Sequence, residues 1–351
     1  MPDSCGKSRS GGRPAEDAPH CDDFFLPAAP TADGLVSVII PTFNRAALIG
    51  QTLESVLRQT YRPLEVIIVD DGSTDETTTV VRDWAANCEL QSERIAVNLL
   101  IQANAGPSAA RNRGFSHSHG EFIQFLDSDD LIHPEKVTTQ VARLREGNWP
   151  FCVCNYRMFV DVPDNTAATV DFFSRSHRIE DFPAVYPMDT PAPLYRRSAL
   201  EVAGPWDERL RAGEDFEFNF RVAARNELGT WLNQVLLYVR RHQGPERIQG
   251  TAFRNRFGSM YRGLVSIEIE AMERGLCNPR LLHNLAVRAL AYYRYLMAEE
   301  ARSEAMVFRQ YARARLGILA RCAYGVRYGI HRPLCKRIRR AFTVCLAGSR
   351  V

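Results

Sequence analysis

Residues 121–130, EFIQFLDSDD, set an apolar run directly before three carboxylates. Residues 121–126 have the composition of a buried strand, so Asp127, Asp129 and Asp130 are expected where that strand leaves its sheet. Like charges at this spacing repel and raise one another's pKa unless a cation or an array of donors stabilises them. Mg²⁺ or Mn²⁺ carrying a polyphosphate would supply that stabilisation. The alternative is an acidic turn that binds no ligand, and with either interpretation Asp130 is expected to cap the next helix.

A strand–helix alternation precedes this turn and predicts an α/β fold with a mostly parallel sheet flanked by helices. Apolar runs predict strands, and helical spacing fills the segments between them; the strands are 35–40, 64–69, 95–102 and 121–126, and the helices 46–59, 76–86 and 107–115. Ligands bind beyond the carboxyl ends of such strands. Three polar clusters follow strand ends and are therefore expected to meet at one edge, namely Thr42 with Asn44, Asp70 with Asp71, and Asp127 with Asp129.

Other classes of protein lack support in the sequence. Neither G-x-G-x-x-G after the first strand nor a P-loop motif is present, which argues against a dinucleotide fold and a P-loop ATPase. The nine cysteines show no zinc-site spacing, and reduced thiols in a cytoplasmic protein fit them best. No apolar run approaches the roughly 18 residues needed to span a bilayer.

The motifs in order resemble family 2 glycosyltransferases with the GT-A fold, which are inverting enzymes. The resemblance covers roughly residues 35–245 and is carried by SVIIPTFNR at 37–45, VDDGSTD at 69–75, NAGPSAARNRG at 104–114, LDSDD at 126–130, GPWDE at 204–208 and GEDF at 213–216.

That resemblance implies a donor site for a nucleotide-diphosphate sugar, with a UDP-linked sugar as the first expectation. The residues it assigns to donor binding are Pro41, Thr42, Asn44, Asp71, Gly106, Arg111 and Asp127. For Asp71 the alternative is an Asx-turn with Gly72 at positive φ. For Arg111, as for Arg113, the alternative is an ordinary arginine on a helix surface.

The resemblance also implies a divalent metal, Mg²⁺ or Mn²⁺, on the donor diphosphate. Asp129 of the D-x-D motif would ligate it directly, and Asp127 would contact the ribose or metal-bound water. His242 would complete the metal site, although it could equally be an exposed loop residue beside two arginines.

An inverting transfer needs a base for the acceptor hydroxyl. Position and resemblance favour Asp215 as that base, with Glu214 orienting the acceptor or the helix. The alternative is a pair of acids that only stabilise a helix N-terminus. Residues 151–210 are expected to face the acceptor, where Trp206 either stacks on a sugar or packs in the core.

Composition suggests three regions. Residues 1–34 are expected to form a disordered leader, residues 35–130 and 131–245 the nucleotide and acceptor halves of a catalytic domain, and residues 246–351 a helical basic extension. Residues 305–351 hold eleven Lys or Arg and no acid; subtracting those charges from the net charge of +3 leaves −8 on residues 1–304. The basic end predicts contact with an anionic membrane surface at the inner face of the plasma membrane, with packing on the acidic body as the alternative.

The expected function is transfer of a sugar to a polysaccharide, glycolipid or lipid-linked oligosaccharide, without nucleic acid as a partner because no recognition module is present. Two alternatives stay open. A nucleotidyltransferase would release pyrophosphate and give Asp215 no role. A non-catalytic protein that binds sugar nucleotides would tolerate loss of Asp215.

Overall fold

The chain is described here by a computed structural model covering residues 31–91, 95–161, 163, 169–170, 178–185, 189–226, 228–241, 251–298 and 301–328. Its first half alternates strands and helices: β1 Ala32–Thr42, α1 Ile49–Leu57, β2 Leu64–Asp70, α2 Thr77–Gln91, β3 Ile95–Ile101, α3 Pro107–Ser116 and β4 Gly120–Phe125. The predicted strands and helices are confirmed, with ends that shift by a few residues. β1 begins at Ala32, inside the segment predicted as a leader.

Four strands form the parallel half of the sheet, in the order β3-β2-β1-β4. Their apolar runs are continuous because helices cover both faces, so Val38, Ile39 and Ile40 are all fully buried. Register pairs Thr42 with Asp70 and Asp70 with Ile101, which brings the carboxyl ends of β1, β2 and β3 together.

The second half of the sheet is mixed. Its elements are β5 Leu131–Ile132, α4 Lys136–Gly147, β6 Phe151–Phe159, β7 Thr169–Val170, a 3₁₀ turn Ile179–Asp181, α5 Phe182–Val185, β8 Pro193–Arg196, α6 Arg197–Ala203, α7 Glu214–Arg225 and β9 Thr230–Arg240. β8 joins β4 and β6 by antiparallel pairing, β6 runs parallel to β9, and β5 pairs antiparallel with β9. Among the described residues, one nine-stranded sheet therefore runs through both predicted halves, residues 35–130 and 131–245.

Three long helices follow: α8 Thr251–Glu273, α9 Pro279–Ala298 and α10 Arg302–Tyr328. They form a second core with α7, in which Phe216 and Phe220 of α7 pack among buried residues such as Leu264, Leu285 and Phe308. The predicted helical extension therefore packs directly on the helix that begins with Glu214 and Asp215. Among the described helices, none is both long and apolar enough to cross a membrane.

Candidate active site

The carboxyl ends of β1 and β2 form the floor of the predicted donor site. The Asp71 N–H donates to the Thr42 carbonyl at 2.8 Å, which continues the β1–β2 pairing beyond the strands. Pro41 lies within this paired segment, opposite Val69. The Thr42 hydroxyl is buried and makes no hydrogen bond to the described residues, so it has capacity for a ligand.

Asn44 joins two loops. It has a left-handed backbone, with φ of 51°. Its N–H donates to Ser73 Oγ at 2.9 Å, and its Oδ1 accepts from the Thr74 N–H at 2.8 Å. Asp70 accepts from the Ser73 N–H at 2.8 Å. The side chain of Asn44 therefore shapes the edge of the site by holding the 70–75 turn.

Asp71 is a buried carboxylate that organises the loop after β3. It accepts three hydrogen bonds of 2.8 Å, from Gln102 Nε2 and from the N–H groups of Ala105 and Gly106. The Asx-turn with Gly72 does not explain these contacts, because the donors lie more than 30 residues along the chain. Asp71 therefore connects β2 with the start of α3, where the donor was predicted.

Arg111 connects the acidic turn with α7. Its guanidinium is buried, donates to Asp127 Oδ1 at 2.9 Å and lies 3.5 Å from Glu214 Oε1. It also stacks on Trp206, 4.6 Å from the ring centroid. Burial lowers the pKa of Arg111, but the charges of Asp127 and Glu214 outweigh that effect and hold it above its usual value. Arg111 is therefore not a surface arginine, and it brings together the acids that were predicted for the donor side and for the acceptor side.

The three acids of the turn have different surroundings. Burial raises the pKa of Asp127, Arg111 opposes that rise, and Asp129 adds to it. Asp129 is partly exposed and lies 3.7 Å from the guanidinium of Arg45. Asp130 is buried, and its pKa is raised well above the usual value by that burial and by the charges of Asp129 and Asp127.

Asp130 was expected to cap the following helix, and that expectation is wrong. α4 begins at Lys136, and the residue before it makes no side-chain cap. Asp130 Oδ1 instead accepts from the Arg240 N–H at 2.8 Å, while Arg240 Nε donates to the Asp129 carbonyl at 3.0 Å. Arg240 therefore fixes the acidic turn against β9.

Asp215 lies in the first turn of α7, after Gly213 at φ of 72°. Its Oδ1 accepts from the Phe216 N–H at 2.7 Å. Burial raises the pKa of Tyr292, on α9, to about 12, with the nearby charge of Asp215 adding to the rise. The acid predicted as the base therefore lies close to the C-terminal helices as well as to the sheet.

Trp206 belongs to the core. It is 1% exposed and stacks on Phe218 at 3.8 Å between ring centroids, with an interplanar angle of 11°. Core packing, rather than stacking on a sugar, explains this tryptophan.

Sequence reasoning missed two residues of the site. Burial raises the pKa of Asp189 to about 6, a hydrogen bond from Tyr156 opposes that rise, and the charge of Asp127 adds to it. Arg211 donates to the Ala105 carbonyl at 2.7 Å and lies over Gly106. Asp189 lies in an irregular Pro-rich stretch without a motif, whereas the only signal for Arg211 was its position three residues before Glu214.

The acidic residues could hold part of a metal site. Among the residues that the structure describes, no group of three His, Cys, Asp or Glu is arranged to bind a metal ion. His242 lies outside the described residues. Asp127 and Asp129 offer carboxylate oxygens next to the guanidinium groups of Arg111 and Arg45. These hard oxygen donors suit Mg²⁺ or Mn²⁺, whose remaining ligands would come from water or a phosphate.

Comparison with known proteins identifies related sequences. Residues 37–203 match the profile of the family described as Glycosyl transferase family 2. An uncharacterized glycosyltransferase of Rickettsia bellii is 32% identical over 200 residues, 56% of this chain and 27% of that protein. GalNAc(5)-diNAcBac-PP-undecaprenol beta-1,3-glucosyltransferase of Campylobacter jejuni is 36% identical over 112 residues, 32% of this chain and 35% of that protein. The match therefore spans about a third of the length of these relatives.

Solved structures share the fold. The TarS 1-349 complex with UDP-GlcNAc from S. aureus has a TM-score of 0.57 and 22% identity, covering 74% of this chain and 73% of that one. Mannosyltransferase PcManGT from Pyrobaculum calidifontis, in complex with GDP-Man and Mn²⁺, has a TM-score of 0.51 and 20% identity. The match covers 86% of this chain and 90% of that one. These similarities confirm the predicted GT-A fold. The profile match and the order of the motifs show that residues 37–203 form a glycosyl transferase family 2 domain.

Proposed function

We propose that the protein is an inverting glycosyltransferase that transfers a sugar from a nucleotide-diphosphate sugar to an acceptor hydroxyl. The main support is the arrangement around Arg111, which links Asp127 on the donor side with Glu214 at the start of α7. A site that only bound nucleotides would not need the acids of α7 beside those of the turn after β4. Complexes of the TarS and PcManGT neighbours with UDP-GlcNAc and GDP-Man favour a nucleotide-sugar donor.

Asp215 is the proposed base. As the acceptor oxygen bonds to the anomeric carbon, its proton passes to the Asp215 carboxylate and the bond between that carbon and the diphosphate oxygen breaks. Glu214 would orient the acceptor or the helix while it balances the charge of Arg111. In-line attack from the side opposite the diphosphate inverts the anomeric centre.

Asp127, Asp129 and His242 are the proposed ligands of a divalent metal. When bound, Mg²⁺ or Mn²⁺ would offset the negative charge that develops on the leaving diphosphate. Arg45 and Arg111 already balance part of the charge of these acids. Pro41, Thr42, Asn44, Asp71 and Gly106 would form the nucleotide side.

The proposed acceptor is a polysaccharide, a glycolipid or a lipid-linked oligosaccharide. The Campylobacter jejuni relative carries an undecaprenol-linked substrate in its name, which favours an acceptor at a membrane. We define the basic face as Val287, Arg294, Met306, Arg309 and Arg313, which are all exposed on α9 and α10. Arg309 lies 6.0 Å from the Tyr293 ring, so the two helices adjoin there. This face and the basic end at residues 305–351 are the proposed contact with anionic lipid at the inner side of the plasma membrane; the side chains of residues 317–351 lie outside the described part of the chain.

A panel of UDP-, GDP- and TDP-sugars with Mn²⁺ tests the reaction class. Donor hydrolysis or transfer should release a nucleoside diphosphate from one member of the panel. Release of pyrophosphate would instead favour a nucleotidyltransferase. Tight binding of a sugar nucleotide without turnover, with every acceptor class supplied, would favour a non-catalytic binding protein.

A further inference from the structure

Arg211 lies between the two halves of the candidate site. Its backbone is fixed, because its N–H donates to Ser259 Oγ at 2.9 Å and Ser259 is a buried residue of α8. The preceding residue, Leu210, is only 1% exposed. The Arg211 side chain itself is exposed. The segment therefore anchors an exposed guanidinium at the entrance to α7.

The Arg211 side chain reaches from the acceptor half to the donor half. Nη1 donates to the Ala105 carbonyl at 2.7 Å. A Cβ atom placed on Gly106 would lie only 2.0 Å from this Nη1 and 3.1 Å from Cζ. Gly106 is one of the predicted donor-binding residues, and the Arg211 guanidinium occupies the space that a side chain at this position would fill.

The loop below Arg211 is held from its other side by Asp71. The carboxylate of Asp71 accepts from the N–H groups of Ala105 and Gly106, whereas Arg211 binds the carbonyl of Ala105. The guanidinium is therefore held against a firmly supported loop at the start of α3. A cation in this place borders the predicted nucleotide pocket.

The two arginines near this loop differ in how their charge is balanced. Arg111 is buried and already faces the carboxylates of Asp127 and Glu214. Within the described part of the chain, no carboxylate forms an ion pair with Arg211, and its contact with Ala105 is to a neutral carbonyl. Arg211 can therefore bind an anion without losing a salt bridge.

We propose that Arg211 is a donor-binding residue whose guanidinium contacts the diphosphate of the nucleotide sugar. The inference rests on the proposed function and adds to it a residue outside the sequence motifs. A guanidinium presents paired N–H donors that match phosphate oxygens. Because Arg211 belongs to the segment that leads into Glu214 and Asp215, donor binding would also fix the start of α7.

Isothermal titration of UDP, UMP and uridine in the presence of Mn²⁺ tests this assignment, with GDP, GMP and guanosine as a parallel series. The proteins are the full-length wild type, Arg211→Gln, Arg211→Lys and the control Arg209→Gln. Arg209 is a matched control because it is exposed on the same segment and already pairs with Asp207 at 2.8 Å. Thermal unfolding of each variant measures its structural effect.

We expect Arg211→Gln to weaken binding of the preferred nucleoside diphosphate about 10- to 100-fold, with the nucleoside unaffected. Arg211→Lys should recover part of the affinity, and Arg209→Gln should match the wild type. Three results for Arg211→Gln would overturn the assignment. They are an equal loss of affinity for the nucleoside and the nucleoside diphosphate, an unchanged affinity for the diphosphate, and a Tm low enough to account for the lost binding. If the wild type binds neither UDP nor GDP, the proposed donor site itself is wrong.

Discussion

At the residue scale, Arg111 neutralises part of the negative charge of the candidate site. It is 4% exposed and contacts carboxylates from the turn after β4 and from α7. Replacing it with Met would leave Asp127 beside Asp129 without its cation. We expect Arg111→Met to lower the free energy of unfolding by about 3 kcal/mol, measured by urea denaturation.

Arg113 on the same helix provides the control for this prediction. Its guanidinium donates to the Ile101 carbonyl at 2.8 Å near the surface. Arg113→Met should therefore lower the free energy of unfolding by less than about 1 kcal/mol. Adding Asp127→Asn to Arg111→Met should restore part of the loss, because it removes the uncompensated charge. Equal costs for the two arginine variants would contradict the role of Arg111.

Individual residues were predictable only to the extent that their surroundings are local. The positions of Thr42, Asp71 and Asp127 at strand ends follow from apolar runs and the residues that end them. The partners of these side chains do not: Asp130 binds the Arg240 N–H, 110 residues away. Such pairs depend on how β9 meets β5, which no short pattern specifies.

Lys136 links several elements in the interior. It lies fully buried at the start of α4 and donates to the side-chain carbonyls of Gln124 and Gln140. Gln140 in turn donates to the Cys152 carbonyl at 2.6 Å and to the Ala192 carbonyl at 3.0 Å. This network ties α4 to β6 and to the turn that precedes β8.

The network predicts a pH dependence of stability. Burial lowers the pKa of Lys136 from 10.5 to about 8. Between these values the unfolded chain holds a proton that the folded protein has released, so the free energy of unfolding rises with pH. The free energy of unfolding of the wild type, relative to that of Lys136→Met, should rise by about 3 kcal/mol from pH 8 to above pH 10. Urea titrations at each pH measure this difference. A constant difference would contradict a neutral buried amine.

The predictability of whole elements differs between the two halves. In the first half, each strand and helix carries its own periodicity, and crossover geometry then orders the parallel strands. In the second half, β8 enters the sheet between β4 and β6, and β6 pairs with β9, more than 70 residues along the chain. Their order depends on packing between distant segments, which local patterns do not encode.

The C-terminal helices matter at the scale of the whole molecule because α7 packs against them. Phe308 and Tyr311 of α10 are buried, and Arg315 pairs with the buried Glu268 of α8 at 2.7 Å. A chain ending at Glu304 loses these groups and should unfold at a Tm lower by on the order of 10 °C, or without cooperativity. A chain ending at Tyr328 keeps every described contact and should melt like the full chain in calorimetry.

The basic face makes a second prediction for the whole molecule. Replacing Arg294, Arg309 and Arg313 with Gln should lower the affinity for phosphatidylglycerol-containing vesicles about 100-fold, at roughly 1 kcal/mol per residue. Sedimentation with the vesicles measures this affinity. Vesicles of phosphatidylcholine alone should bind neither the wild type nor this variant. The control carries Gln at Arg58, Arg82 and Arg209, which changes the net charge equally at other exposed positions. Equal losses in both variants would show that only net charge matters.

The central claim is that donor-side acids and a base on α7 form one active site. Donor binding and turnover by Asp129→Ala and Asp215→Asn, with and without Mn²⁺, test it most directly. We predict that Asp129→Ala loses the Mn²⁺-dependent part of donor binding. Asp215→Asn should bind donor like the wild type but transfer sugar at least about 100-fold more slowly. Wild-type donor binding by the Asp129 variant, or near wild-type transfer by the Asp215 variant, would contradict the claim.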